Sequence, residues 1–161
     1  MNVIDVHAHI VIEETLNTIQ GFGPEIGGNL EKPWFRVGNY KLEGVRYKNT
    51  PFMDVQLRLE AMEKMGIDFQ VLSPNPLTYF HFIDSRLALD YCRLHNDNLA
   101  KILLNNNKKL GGFASLPIQD PHLASKELER AVKQLGLMGA YVGTDFPSGF
   151  DDSSMDELYQ T

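Results

Sequence analysis

Apolar and polar positions change period several times along this chain, and each change marks an element. The opening run Val3-Ile4-Asp5-Val6-His7-Ala8-His9-Ile10 begins as an apolar strand over Val3 to His7. Strand side chains alternate faces, so His7 and His9, two positions apart, point the same way. From Val11 to Met53 no period is sustained. That stretch is glycine-rich and carries Pro24, Pro33, Trp34 and Phe35, and it reads either as a functional lid or binding loop or as a poorly ordered insertion. Asp54 then has the character of an N-cap for a helix over Val55 to Met65, with Leu57, Ala61 and Met65 on one face and Gly66 as its stop.

Asp68 to Leu72 is a second strand, ended by Ser73-Pro74-Asn75-Pro76. A long helix follows over about Ser85 to Asn106, with Leu87, Tyr91, Leu94 and Ile102 among its apolar positions. A third strand spans Leu110 to Leu116. Asp120-Pro121 sets a cap followed by proline at the first helical position, and that helix runs to Leu135 and stops at Gly136. Gly139 to Gly143 is a fourth strand, and a last helix starts near Ser153. Strands alternating with helices imply parallel pairing through right-handed crossovers. Four βα units make either an open doubly wound sheet or half of a (β/α)8 TIM barrel, which takes about 250 residues.

Composition narrows the class. At 161 residues with 43% hydrophobic positions, the chain has the length of one domain and enough apolar surface for a core. A net charge of −6 with interspersed signs argues against a nucleic-acid surface or a polybasic membrane patch. No apolar run approaches the roughly 18 residues of a membrane helix. Met1-Asn2 leads straight into a strand, with no basic leader before it. Cys92 has no internal partner and falls in a helical apolar pattern, as a buried thiol in a reducing compartment would. A cytoplasmic location is therefore expected.

The chemistry begins with the histidines. Two imidazoles on one side of a strand end form half of a divalent-metal site. No second half is apparent in the remaining sequence.

Several ordered motifs resemble the amidohydrolase-2 branch of the amidohydrolase superfamily. They are Asp5-Val6-His7-Ala8-His9-Ile10, Val71-Leu72-Ser73-Pro74, Leu94-His95-Asn96-Asp97-Asn98-Leu99-Ala100, Gly112-Phe113-Ala114-Ser115-Leu116-Pro117, Leu123-Ala124-Ser125-Lys126-Glu127-Leu128-Glu129-Arg130 and Gly139-Ala140-Tyr141-Val142-Gly143-Thr144. The likeness is strongest to that branch's decarboxylases of muconate-type carboxylates. It implies a (β/α)8 barrel holding one divalent metal, often zinc, at the C-terminal ends of the strands, with His7 and His9 as the first two ligands. It also implies a histidine ligand after a fifth strand, a catalytic histidine after a sixth and an aspartate after an eighth. By that measure the chain is expected to be one amidohydrolase-like domain over 1–161, truncated before the fifth strand, with 11–53 as an insertion over the site. The proton-transfer histidine and the metal-ligand aspartate are expected beyond Thr161.

Other candidates carry two readings each. The resemblance places Arg46 as a substrate-carboxylate ligand, a task suited to its planar fork; otherwise it is a solvated loop arginine. His81, in the loop after the second strand, either contacts substrate or packs beside Phe80 and Phe82. Asp5 either orients a ligand from behind or makes a structural hydrogen bond. Asp145 either contributes a polar group after the fourth strand or caps the turn, and the turn is favoured. His95 is expected to make structural hydrogen bonds within its helix, and His122 to be solvated.

Three functions follow. The leading one is metal-dependent, non-oxidative decarboxylation of an acidic, ring-derived or muconate-type carboxylate. The same metal chemistry serves a hydrolase acting on a lactone or amide. The third is a non-catalytic fragment that self-associates through an exposed sheet edge. The expected partners are a small-molecule carboxylate and further copies of the chain, with no nucleic acid and no membrane.

Overall fold

The computed structural model describes residues 3–106, 108–144 and 149–161. It is a mixed α/β structure with two sheets. The strands are β1 (Ile4–Ile10), β2 (Glu25–Gly28), β3 (Pro33–Val37), β4 (Tyr40–Glu43), β5 (Phe69–Pro74) and β6 (Leu110–Gly112). The helices are α1 (Val55–Met65), α2 (Ser85–Leu104), α3 (Pro121–Lys133) and the short α4 (Asp156–Tyr159). β1, β5 and β6 form a parallel sheet in the order β1-β5-β6, and β2, β3 and β4 form an antiparallel meander.

The capping signals act as their chemistry requires. Asp54, Asp84 and Asp120 each accept a backbone N–H in the first turn of α1, α2 and α3. Gly66 ends α1 in the left-handed conformation at φ 68°. Gly112 lets α2 lie directly on the sheet: a Cβ there would stand 2.9 Å from Leu99 Cδ2 and 3.0 Å from Leu103 Cδ1. Glu127, fully buried on α3, accepts from Asn96 and Arg93 of α2 and from Arg130, and so ties the two helices together.

Five sequence expectations need correction. The stretch 11–53 is not free of regular structure, because it carries a 3₁₀ turn at Glu13–Thr15 and the whole β2-β3-β4 meander. Only Phe35 and Val37 give that meander a buried alternation, too brief to register as a period. β1 extends to Ile10, past the expected end at His7. The third strand stops at Gly112, and the expected fourth is reduced to one parallel bridge between Ala114 and Ala140. Gly139, at φ 150°, interrupts that run, and Tyr141 N–H donates to Ala114 O at 3.1 Å just after it. Finally, the inward stripe of α1 is Val55, Arg58, Leu59 and Met62, whereas Met65 is 65% exposed.

Two apolar clusters result. One lies between the parallel sheet and its helices, around Ile10, Leu72, Leu99 and Leu110. The other lies under the meander, around Val11, Phe35, Val37, Tyr47, Phe80 and Tyr91. Among the described residues, no helix is long and apolar enough to cross a membrane.

Candidate metal centre

His7 and His9 stand in the C-terminal half of β1 with ring centroids 4.8 Å apart and planes at 79°. His9 is half-buried and His7 is exposed. The Nδ1 of His9 lies 3.1 Å from Pro74 O. A carbonyl oxygen only accepts, so Nδ1 carries the proton and the lone pair of His9 sits on Nε2. Burial holds the pKa of His9 below the usual imidazole value, and the His7 and Arg58 charges act in the same direction. That direction favours the neutral ring, the form a metal requires, although the hydrogen bond to Pro74 O opposes it.

Tyr141 completes a corner of three rings. Its ring centroid is 5.9 Å from His7 and 5.7 Å from His9, near-perpendicular to each at 76° and 77°. Behind it, the Tyr79 ring lies 6.1 Å away. Tyr79, Tyr141 and His81 line one small cavity with Leu116, Ile118 and Gly143. His81 also meets Phe82 edge-on at 5.8 Å. The structure thus places His81 one tyrosine away from the histidine pair.

Beneath the histidines runs a polar network from α1. Arg58 Nη2 donates to His9 O and Arg58 Nη1 to Gln70 Oε1, both at 2.7 Å. Gln70 Nε2 donates to Asp5 Oδ2 at 2.7 Å, and Asp5 Oδ1 accepts from His7 N–H at 3.0 Å. Asp5 therefore takes the structural role: it holds the backbone of His7, and among the described residues neither imidazole is hydrogen-bonded to it.

The remaining candidates lie elsewhere or differ from expectation. Arg46 is exposed and donates to Asn49 O at 3.1 Å. It lines a cavity with Ile26, Gly27, Leu30, Tyr47 and Lys48, a wall that includes none of His7, His9 and His81. Asp145 lies outside the described residues. His95 is buried, yet neither ring nitrogen has a hydrogen-bond partner among the described residues, contrary to its expected structural role. It stacks on Tyr91 at 6.3 Å instead, and burial pushes its pKa down to about 4. His122 is exposed, as expected, but pairs with Glu157 at 2.7 Å. Cys92 is buried, and its thiol is pushed up to about 12 by that burial. Thr161 takes part in helix packing. Its hydroxyl hydrogen-bonds Ser125 of α3 and donates to Glu157 O at 2.9 Å, which fastens α4 to α3.

The pair fits a divalent cation in donor type and proximity: two imidazoles, one of them oriented by a carbonyl that leaves its Nε2 free. Among the described residues, no group of three or more His, Cys, Asp or Glu converges to complete a ligand set.

Relatives with the same arrangement of elements are enzymes. The chain is 35% identical over 140 residues to the gamma-resorcylate decarboxylase of a Polaromonas species, an overlap of 86% of this chain and 38% of that one. It is 26% identical over 160 residues to the 2-amino-3-carboxymuconate-6-semialdehyde decarboxylase of Dictyostelium discoideum, covering 98% of this chain and 45% of that one. Its fold matches the crystal structure of a Polaromonas dihydroxybenzoic acid decarboxylase with bound manganese and the inhibitor 2-nitroresorcinol. The TM-score is 0.73 at 29% identity, over 99% of this chain and 46% of that one. No protein-family model matches the chain. The parallel α/β fold and these likenesses group the chain with decarboxylases, one of which binds manganese. These likenesses are consistent with the amidohydrolase-2 branch that the sequence motifs resemble. The chain spans less than half the length of the relatives it matches.

Arg58, Gln70 and Tyr141 are the site neighbours that sequence reasoning missed. The period of α1 held a signal for Arg58, since Val55, Leu59 and Met62 form an inward stripe with an arginine inside it. Gln70 is a polar residue inside an apolar strand, which is a weaker sign. Nothing in the local pattern marks Tyr141.

Proposed function

We propose that the chain supplies the His7/His9 part of the site of a metal-dependent, non-oxidative decarboxylase acting on a ring-derived or muconate-type carboxylate. The observation that carries this reading is the pair of imidazoles 4.8 Å apart on one strand, with His9 oriented by Pro74 O. His7 and His9 would hold a divalent cation, zinc in the first instance, with manganese the alternative suggested by the Polaromonas structure. Such a cation supplies Lewis-acid polarisation of a bound oxygen. In the reaction the bond between carboxyl and substrate carbon breaks, its electron pair stays on that carbon and takes up a proton, and carbon dioxide leaves.

The four βα units are read as half of a (β/α)8 barrel. In support, the β1 edge exposes Ile4 at 58% and Val6 at 61%, apolar surface suited to further strands or to another copy of the chain. The segment 11–53 is read as the site's cover, because Val11 N–H bonds Phe52 O at 2.9 Å and closes its base directly beyond β1. Arg46 would take the substrate carboxylate, its guanidinium being exposed and held by the single bond to Asn49 O among the described residues. His81 would contact substrate from the cavity beside Tyr141. A cytoplasmic location accords with the buried, reduced Cys92.

Two imidazoles fall short of the three protein donors plus water usual for catalytic zinc. The test is carbon dioxide release from γ-resorcylate and from 2-amino-3-carboxymuconate-6-semialdehyde. It compares the metal-loaded 161-residue chain with a polypeptide extended by four further βα units. Metal-dependent release by the extended protein, with little or none from the shorter chain, is expected. Equal turnover by both would contradict the half-barrel reading, and no release by either would contradict the decarboxylase reading.

A further inference from the structure

We infer that Arg58 is a positioning residue for the histidine pair, acting through the backbone of β1. The inference deepens the metal reading and rests on it. β1 is irregular around His7, just before His9: from Asp5 to Ala8 it advances three residues while its partner advances two, from Gln70 to Leu72. A bulge of this kind re-aims side chains and interrupts the ladder that would otherwise fix the strand. Something else must hold it, and the groups that do so converge on one guanidinium.

The network has two arms. One runs from Arg58 Nη2 to the carbonyl of His9. The other runs from Arg58 Nη1 through Gln70 and Asp5 to the amide of His7. Of the two backbone groups caught this way, the His7 amide lies inside the irregular stretch and the His9 carbonyl just past it, and both belong to residues whose rings converge. A planar fork suits the task, because it reaches two acceptors at once in fixed geometry, whereas an ammonium presents a point charge.

Packing does not account for an arginine here. Arg58 is 6% exposed within an otherwise apolar stripe of α1. A methionine would fill that stripe without desolvating a charge. Burial draws the guanidinium down to about 10, opposed by the Asp5 carboxylate, so it remains a cation at neutral pH. The charge is retained at a cost, and its hydrogen bonds go to the histidine strand and to Gln70.

The test is titration of the full chain with Zn²⁺ and with Mn²⁺ by calorimetry. It uses wild type, Arg58→Lys, Arg58→Met, Gln70→Leu, His7→Ala and His9→Ala, with thermal unfolding of each metal-free protein alongside. Arg58→Met is expected to weaken metal binding by about tenfold or more, the range seen when groups behind metal ligands are removed. Gln70→Leu, which cuts only the arm to Asp5, is expected to weaken it less, and Arg58→Lys is expected to restore part of the loss. An arginine with a merely structural role would lower the unfolding temperature and leave the affinity of the folded protein unchanged, and that result overturns the inference. If Arg58→Met does not fold, unchanged affinity in folded Gln70→Leu overturns it equally. Unchanged affinity in His7→Ala and His9→Ala would instead contradict the metal site itself, which keeps the two failures distinct.

Discussion

Tyr141 and His9 meet ring to ring at 5.7 Å and 77°, although they come from opposite ends of the parallel arrangement. Edge-to-face aromatic contacts of this kind contribute about 0.5–1.5 kcal/mol and fix relative orientation. Tyr141 makes the same contact with His7. Its ring, more than its hydroxyl, should matter to the pair. Tyr141→Phe is therefore expected to keep wild-type zinc affinity to within a few-fold, and Tyr141→Ala to loosen it by roughly tenfold, the scale of 1.4 kcal/mol. Calorimetric titration of the two variants checks this, and equal loss in both would shift the role to the hydroxyl.

The pH dependence of stability should carry the signature of His95. Burial lowers its folded pKa to about 4, against 6.5 for an ordinary histidine. The unfolded chain therefore binds the extra proton between those values, and the folded chain does not. Stability is at its reference level above pH 6.5 and falls as the pH drops toward 4. The fall from this group is about 3 kcal/mol. Urea unfolding across that range should show the decline, and His95→Leu should reduce it. The same slope in both proteins would contradict the assignment.

Glu127 should be the costliest charge to remove. Its carboxylate is fully buried and accepts from Asn96, Arg93 and Arg130. Glu127→Ala would leave Asn96 and the partly buried Arg130 short of partners, a change worth about 3 kcal/mol. Chemical denaturation should show that loss. A change below about 0.5 kcal/mol would place the pair with ordinary exposed ion pairs.

Much of this architecture was legible because caps and breakers are local. Asp54, Asp120 and Gly66 bound their helices by chemistry that spans only a few residues. The histidine pair was legible for the same reason, since alternation along one strand decides which side chains share a face. What escaped the sequence depends on partners far along the chain. The face of α1 was misassigned because Arg58 occupies a core position, and it does so to reach His9 and Gln70. The meander over 25–43 was hidden because its buried alternation is limited to Phe35 and Val37. Tyr141 carries no local mark, and its place beside the histidines comes from the strand order. His95 sits where a helix residue would be expected to find hydrogen bonds, yet the elements packed over it offer an aromatic ring instead.

The measurement that bears most directly on the central claim is zinc-edge X-ray absorption of the chain loaded with one equivalent of Zn²⁺. The account predicts scattering from two imidazoles per zinc, one of which disappears in His9→Ala and one in His7→Ala. A zinc environment without imidazole, or one unchanged by either substitution, would contradict a metal site at His7 and His9.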